Sequence, residues 1–204
     1  MENITLDKIT MIYNKRTGSL ELYSDGGTLW TDWLEKAGIS RENVTSICVA
    51  EGTVFLPENS GGTYAIFDGL RNARTIDLRG FNTSKVRNMY GMFENCETLT
   101  YLDLSGFDTS NVKNMGCMFL NCHRLADLNL SGLDVSKVTN MRYVFANCVA
   151  LRTLNLSSFD TSNVTDMYGM FYGCKSLRHI TANPTTNPDA NTDKMFEGCT
   201  AEIT

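Results

Sequence analysis

Seven cysteines and two histidines are the residues of this sequence best able to do chemistry. Four of the cysteines, Cys96, Cys122, Cys148 and Cys174, stand a constant 26 residues apart. Thiols in that number raise three prospects: a disulfide framework, a metal site and a nucleophile. Zinc sites of the common kind pair cysteines as Cys-x-x-Cys with histidines at set spacing. No such pair occurs, and His123 and His179 belong to unrelated positions of the pattern. Two acidic rows are the other chemical candidates. Asp77, Asp103, Asn129 and Asn155 form one, and Asn82, Asp108, Asp134 and Asp160 the other. Such rows suit calcium or an acid–base pair. They also suit a plainer role, in which short polar side chains bond backbone groups and turn the chain, and that reading is preferred. Calcium loops of repeat proteins are glycine-rich, unlike these. No nucleophile elbow, phosphate loop or metal spacing appears, so no catalysis, cofactor or metal is expected.

The spacing of the cysteines is itself the stronger message. The same step recurs at Met89, Met115, Met141 and Met167, at Phe93, Phe119, Phe145 and Phe171, and at Leu104, Leu130 and Leu156. A fixed period of this length predicts a solenoid, in which each unit buries its apolar face only against its neighbours. Within one unit, Leu99, Leu102 and Leu104 follow the L-x-x-L-x-L pattern, and the intervening Tyr101, Asp103 and Ser105 face water. Asp108, Thr109, Ser110 and Asn111 turn the chain. Met115, Met118, Phe119 and Cys122 then fall at i, i+3, i+4 and i+7, which predicts a short helix with one buried stripe. Each unit thus reads as strand, turn, extended arm and helix. The fold class expected is an α/β solenoid of leucine-rich-repeat type: a right-handed superhelix of 26-residue repeats, with parallel strands on the concave face and short helices on the convex face. On such helices, packed about 8–10 Å apart, the cysteines exceed the roughly 7 Å reach of a disulfide. They read as small buried hydrophobes with free thiols.

The stretches LDLSGFDTSNVKNMGCMFLNC and LNLSSFDTSNVTDMYGMFYGC resemble the bacterial BspA-like leucine-rich repeats, and within them the subfamily with the signature F-D-T-S-N-V-T-x-M-x-x-M-F-x-x-C. The match is close over residues 67–180. SICVAEGTVFLPENSGGTYAIF resembles that family's degenerate first repeat, with an insertion near Pro57. The resemblance implies surface-displayed or secreted proteins that bind other proteins, often as adhesins, without catalysis.

The ends are atypical. Residues 1–45 do not repeat and read as an N-terminal cap. It holds a hairpin (Ile9 to Tyr13 and Leu20 to Tyr23) around Asn14 to Gly18, then a short helix carrying Leu29, Trp30, Trp33, Leu34 and Ala37, with Gly38 as its stop. Residues 46–180 form the solenoid and 181–204 a C-terminal capping segment. In the latter, Met195, Phe196 and Cys199 repeat the apolar stripe at a step of 25, as a last helix without a following strand.

The net charge of −5 argues against direct nucleic-acid binding. No apolar run approaches the roughly 20 residues of a membrane span. With Met1 as the native start, the chain is cytoplasmic and has no Sec-type signal; with a signal removed, it belongs at the cell surface or outside. Neither the oligomeric state nor the host is legible.

Exposed positions that vary between repeats are free to serve a partner. On the strand side one row reads Thr75, Tyr101, Asp127, Thr153, His179. On the helix side three rows read Tyr90, Gly116, Arg142, Tyr168; then Gly91, Cys117, Tyr143, Gly169; then Glu94, Leu120, Ala146, Tyr172. The candidate partner-binding residues are Tyr101, Asp103, Asp127 and His179 on the strands, and Tyr90, Arg142, Tyr143, Tyr168 and Tyr172 on the helices. Tyrosine and arginine are favoured interface anchors, although tyrosines also pack half-buried between coils. The expected function is a non-enzymatic protein-interaction module, adhesin-type by resemblance. The alternative is an intracellular inhibitor-type binder of a bacterial protein machine, for example one encoded by a mobile element.

Overall fold

In the computed structural model, residues 1–58, 65–183 and 185–204 are described. The insertion expected after Pro57, and Pro184, lie outside them in whole or in part.

The chain opens with three antiparallel strands, β1 (Glu2–Leu6), β2 (Ile9–Asn14) and β3 (Ser19–Thr28), in which β2 pairs with both neighbours. Alternation in β2 buries Ile9, Met11 and Tyr13 and turns Thr10, Ile12 and Asn14 outward. The helix that follows, α1 (Trp33–Lys36), is a single turn, with Gly38 beyond it at φ 67°. It is tied to the first coil by two side chains. The Trp33 indole donates to the Ile66 carbonyl at 3.1 Å, and the Arg41 guanidinium donates to the carbonyls of Thr31, Ile66 and Asp68. Strand β4 (Ser46–Phe55) then runs parallel to β3 and starts the solenoid.

From there the pairings are parallel and one coil apart. They involve β5 (Thr75–Ile76), β6 (Phe81–Asn82), β7 (Tyr101–Asp103), β8 (Asp127–Asn129), β9 (Thr153–Leu156), β10 (His179–Ala182) and β11 (Glu202–Ile203). The register carries Ser46 to Thr75, Tyr101 to Asp127, Thr153 to His179 and His179 to Glu202. β11 corrects one expectation: a strand does follow the final Met-Phe-Cys segment. Around Phe171, Ile180, Phe196 and Ile203, the apolar interior opens into a cavity of about 390 Å³ at this end.

The side opposite the strands also differs from expectation. It is a stack of tight turns, and no helix forms there among the described residues. The amide N–H groups explain why. In one coil, those of Met115, Cys117, Phe119 and Asn121 donate to the carbonyls of Asn140, Arg142, Val144 and Ala146 in the next coil, at 2.9–3.0 Å. The residues between them close turns onto the third residue back: Met118 to Met115, Leu120 to Cys117, Cys122 to Phe119. An α-helix would direct every N–H along its own axis. Here every second one knits coils together, and all remain satisfied. The stripe is nevertheless buried as expected, with Met115, Met118, Phe119 and Cys122 all at most 2% exposed.

The core is a column of rings. Phe67, Phe93, Phe119, Phe145, Phe171 and Phe196 stack with centroids 5.2–5.7 Å apart and near-parallel planes. Coils therefore stack far closer than packed helices, and the helix-spacing argument against disulfides falls. The thiols are free for another reason. Each repeat cysteine turns back to the preceding coils: Cys96, Cys122, Cys148 and Cys174 donate Sγ–H to the carbonyls of Phe67, Phe93, Phe119 and Phe145 at 3.0–3.2 Å.

Candidate interaction surface

The strand side carries two outward rows. In the first, Tyr101 pairs in register with Asp127 and is 54% exposed. His179 lies in the same row two coils beyond Asp127, exposed and flanked by Thr153 and Glu202. In the second row, Asp103 is occupied within the fold. Its Oδ1 accepts from the Ser105 amide and from Asn129 Nδ2, both at 2.9 Å. Those bonds hold its carboxyl below the usual carboxylate range, the Ser105 amide foremost. Asn129 and Asn155 repeat the turn with Ser131 and Ser157. Asp77 is bridged by the Arg79 side chain.

The turn row behaves alike. Asp108, Asp134 and Asp160 accept from the amides of Ser110, Ser136 and Ser162 at 2.9–3.1 Å. Beside them, two buried hydroxyls bond across coils. Thr83 Oγ1 donates to the Asp108 carbonyl and accepts the Asp108 amide, and Thr109 does the same with Asp134.

On the turn side, four of the five candidates meet. Arg142 lies over the rings of Tyr143 and Tyr168, 5.5 and 5.8 Å from their centroids. Tyr143 meets Tyr168 and Tyr172 edge-on at 5.3 and 6.4 Å. The fifth candidate is Tyr90. Its own ring covers Gly116, and its Oη accepts from Cys117 Sγ at 3.2 Å. That bond and partial burial push the Tyr90 phenol up to about 12.

Two features here were not read from the sequence. The row Gly91, Cys117, Tyr143, Gly169 continues to Lys194, and all five have positive φ, from 54° to 61°. Such backbone suits glycine and is uncommon for a bulky side chain. Lys194 was hidden because the last coil is one residue shorter, which shifts the row. Second, Asn95, Asn121 and Asn147, also at positive φ, form a side-chain ladder: Asn121 Nδ2 donates to Asn95 Oδ1 and Asn147 Nδ2 to Asn121 Oδ1, both at 2.9 Å. The recurring Asn-Cys pair was the available signal. Among the described residues, no group of three or more His, Cys, Asp or Glu gathers as metal ligands would, and no helix is long and apolar enough to cross a membrane.

Three solved bacterial structures are similar to this chain. A T. pallidum leucine-rich-repeat protein is 15% identical over 88% of this chain and 71% of its own, with a TM-score of 0.44. A leucine-rich cell surface protein of Faecalibacterium prausnitzii is 18% identical over 89% of this chain, with a TM-score of 0.33, and this chain spans 45% of it. A leucine-rich-repeat protein of Bacteroides ovatus is 13% identical over 98% of this chain and 76% of its own, with a TM-score of 0.36. No curated protein matches the sequence. One family model matches residues 63–130 and again 102–203, together most of the chain and the whole run of regular coils. The chain belongs to the family described as "Mycoplasma protein of unknown function, DUF285".

Proposed function

We propose that this solenoid is a non-enzymatic protein-binding module that holds its partner with side chains that vary from coil to coil. The observation that carries this reading is a division of labour on the surface. Asp103, Asn129, Asp108 and Asp134, in the near-constant rows, are engaged in turn and ladder bonds. Tyr101, in a variable row, is a large ring more than half exposed beside Asp127. Exposed tyrosine next to hydrogen-bonding neighbours is characteristic of interface anchors. Tyr101, Asp127 and His179 on the strands, and Arg142, Tyr143, Tyr168 and Tyr172 on the turns, are the contact residues proposed; Asp103 and Tyr90 contribute at the margins.

The test is a partner capture with the whole chain as bait. Tyr101→Ala, Asp127→Ala and Tyr168→Ala should each weaken capture while leaving the melting temperature in place. A partner kept by all three, yet lost in a well-folded Asp103→Ala variant, would reverse the assignment of functional and structural rows.

The adhesin-type role rests on the resemblance of the repeats. The inhibitor-type role inside a cell has one observation in its favour: all seven cysteines are free thiols, the state maintained in a reducing compartment. Capture from bacterial lysate against capture from host-surface protein separates the two.

A further inference from the structure

We propose that Arg142, Tyr143, Tyr168, Tyr172 and Lys194 form a docking site for an acidic peptide segment of the protein partner. This deepens the protein-binding reading and rests on it.

The first argument is backbone strain. Tyr143 and Lys194 occupy a row that demands positive φ, on either side of Gly169 in that row. A bulky residue held there is strained, and such strain clusters at functional sites. Glycine serves the same row in two other coils, Gly91 and Gly169, so the fold itself does not require tyrosine or lysine. Gly169 is also what admits the tyrosine: a Cβ there would collide with the Tyr143 ring.

The second argument is charge. The chain carries −5 overall, yet this patch presents a guanidinium and an ammonium group among three phenols. Arg142 lies over two aromatic faces and forms no ion pair among the described residues. Its N–H groups are therefore open to a carboxylate, which a guanidinium grips in bidentate fashion. Lys194 has a loose ion pair, 3.8 Å, with exposed Glu197, and it also interacts with the Tyr168 hydroxyl of the same patch. Two cations suit one or two carboxylates. Binding of a long polyanion, by contrast, would work against the negative charge of the whole molecule. The tyrosine edges and hydroxyls supply apolar area and hydrogen bonds for the peptide between its carboxylates.

The experiment uses the intact chain and a short fluorescein-labelled Glu/Asp-rich peptide, followed by anisotropy. A Gln/Asn peptide of the same length is the control. The acidic peptide should bind, weaken with added salt and outcompete the control. An Arg142→Gln/Lys194→Gln double variant, both sites exposed, should lose about tenfold or more in affinity, in line with loss of charge-assisted bonds at an anchor. Lys36→Gln, which removes an exposed cation of the N-terminal helix outside the site, should leave peptide affinity unchanged. As a readout free of mutation, bound peptide should protect Tyr168 and Tyr172 from nitration. Equal affinity for the two peptides, an unaffected double variant, or binding of a sulfated polysaccharide in place of the peptide would each overturn the site. A protein partner lost in Tyr101→Ala but kept by the double variant would overturn this site and leave the protein-binding reading standing.

Discussion

Asn121 hands one hydrogen of its side-chain amide to Asn95 in the preceding coil and accepts one from Asn147 in the next. It does so from a backbone at φ 62°, where asparagine is tolerated better than most residues. Two costs can therefore be separated at one position. Asn121→Gly keeps the backbone relaxed and deletes the ladder; Asn121→Ala deletes the ladder and strains the backbone. The alanine variant should be the less stable of the two by about 1 kcal/mol, and both should fall below the parent in urea unfolding. An alanine variant as stable as the glycine variant would show that strain does not operate here.

Phe119 stacks between Phe93 and Phe145 at 5.7 and 5.6 Å. Phe119→Ala should destabilise by about 3–5 kcal/mol, the usual loss for a buried phenylalanine. Because coils stabilise only their neighbours, damage at the centre should split the unfolding transition or collapse the array at once. A loss under about 1 kcal/mol would remove the ring column from the core.

Thr109 has a buried hydroxyl that satisfies both the amide and the carbonyl of Asp134, whereas Val135 holds the equivalent place one coil on without a hydroxyl. Thr109→Val leaves that amide and carbonyl without the hydroxyl and should cost about 1–3 kcal/mol. The reciprocal Val135→Thr, facing Asp160, should gain about 0.5–1.5 kcal/mol. Denaturant midpoints moving in the same direction for both would refute the pairing.

Stability should depend on acid in a defined way. The carboxyls of Asp108, Asp134 and Asp160 are held below their ordinary value, chiefly by the hydroxyls and amides of Ser110, Ser136 and Ser162, and that of Asp103 chiefly by the Ser105 amide. A lowered folded-state pKa contributes stability that is present above the unfolded value of about 3.9. That stability disappears as pH falls through the folded values. The urea midpoint should thus hold steady from neutrality to about pH 5 and decline below about pH 4. Asp108→Asn should lessen the decline without loss at neutral pH, since Asn82 makes the same turn to Ser84.

Burial pushes the thiols of Cys96, Cys122 and Cys148 well up, and that of Cys174 up to about 12. In the native chain these four should resist a thiol reagent while the half-buried Cys48 and Cys199 react. Under denaturing, non-reducing conditions all seven should titrate. A Cys96–Cys122 or Cys148–Cys174 bridge found by mass spectrometry would contradict the thiol-to-carbonyl bonds.

The 26-residue period, the apolar columns and the in-register strand rows were all legible in the amino-acid sequence. Side-chain type reports burial, and a strict period reports that each coil meets the next in the same way. Met115, Met118, Phe119 and Cys122 accordingly lie inside. Their i, i+3, i+4, i+7 spacing says which side is buried but not where the amides point. Only the tertiary structure decided that alternate N–H groups cross to the next coil, which replaces helix by stacked turns and sets the stacked rings 5.6–5.7 Å apart. Backbone at positive φ under Tyr143, Asn121 and Lys194 was equally invisible, because those residue types do not announce it as glycine does. The meeting of Arg142, Tyr143, Tyr168 and Tyr172 depends on side-chain directions across coils, and the one-residue shortening of the last coil brings Lys194 into their row. Repetition dictated the scaffold; the contacts between unlike residues of successive coils arise only once the coils are stacked.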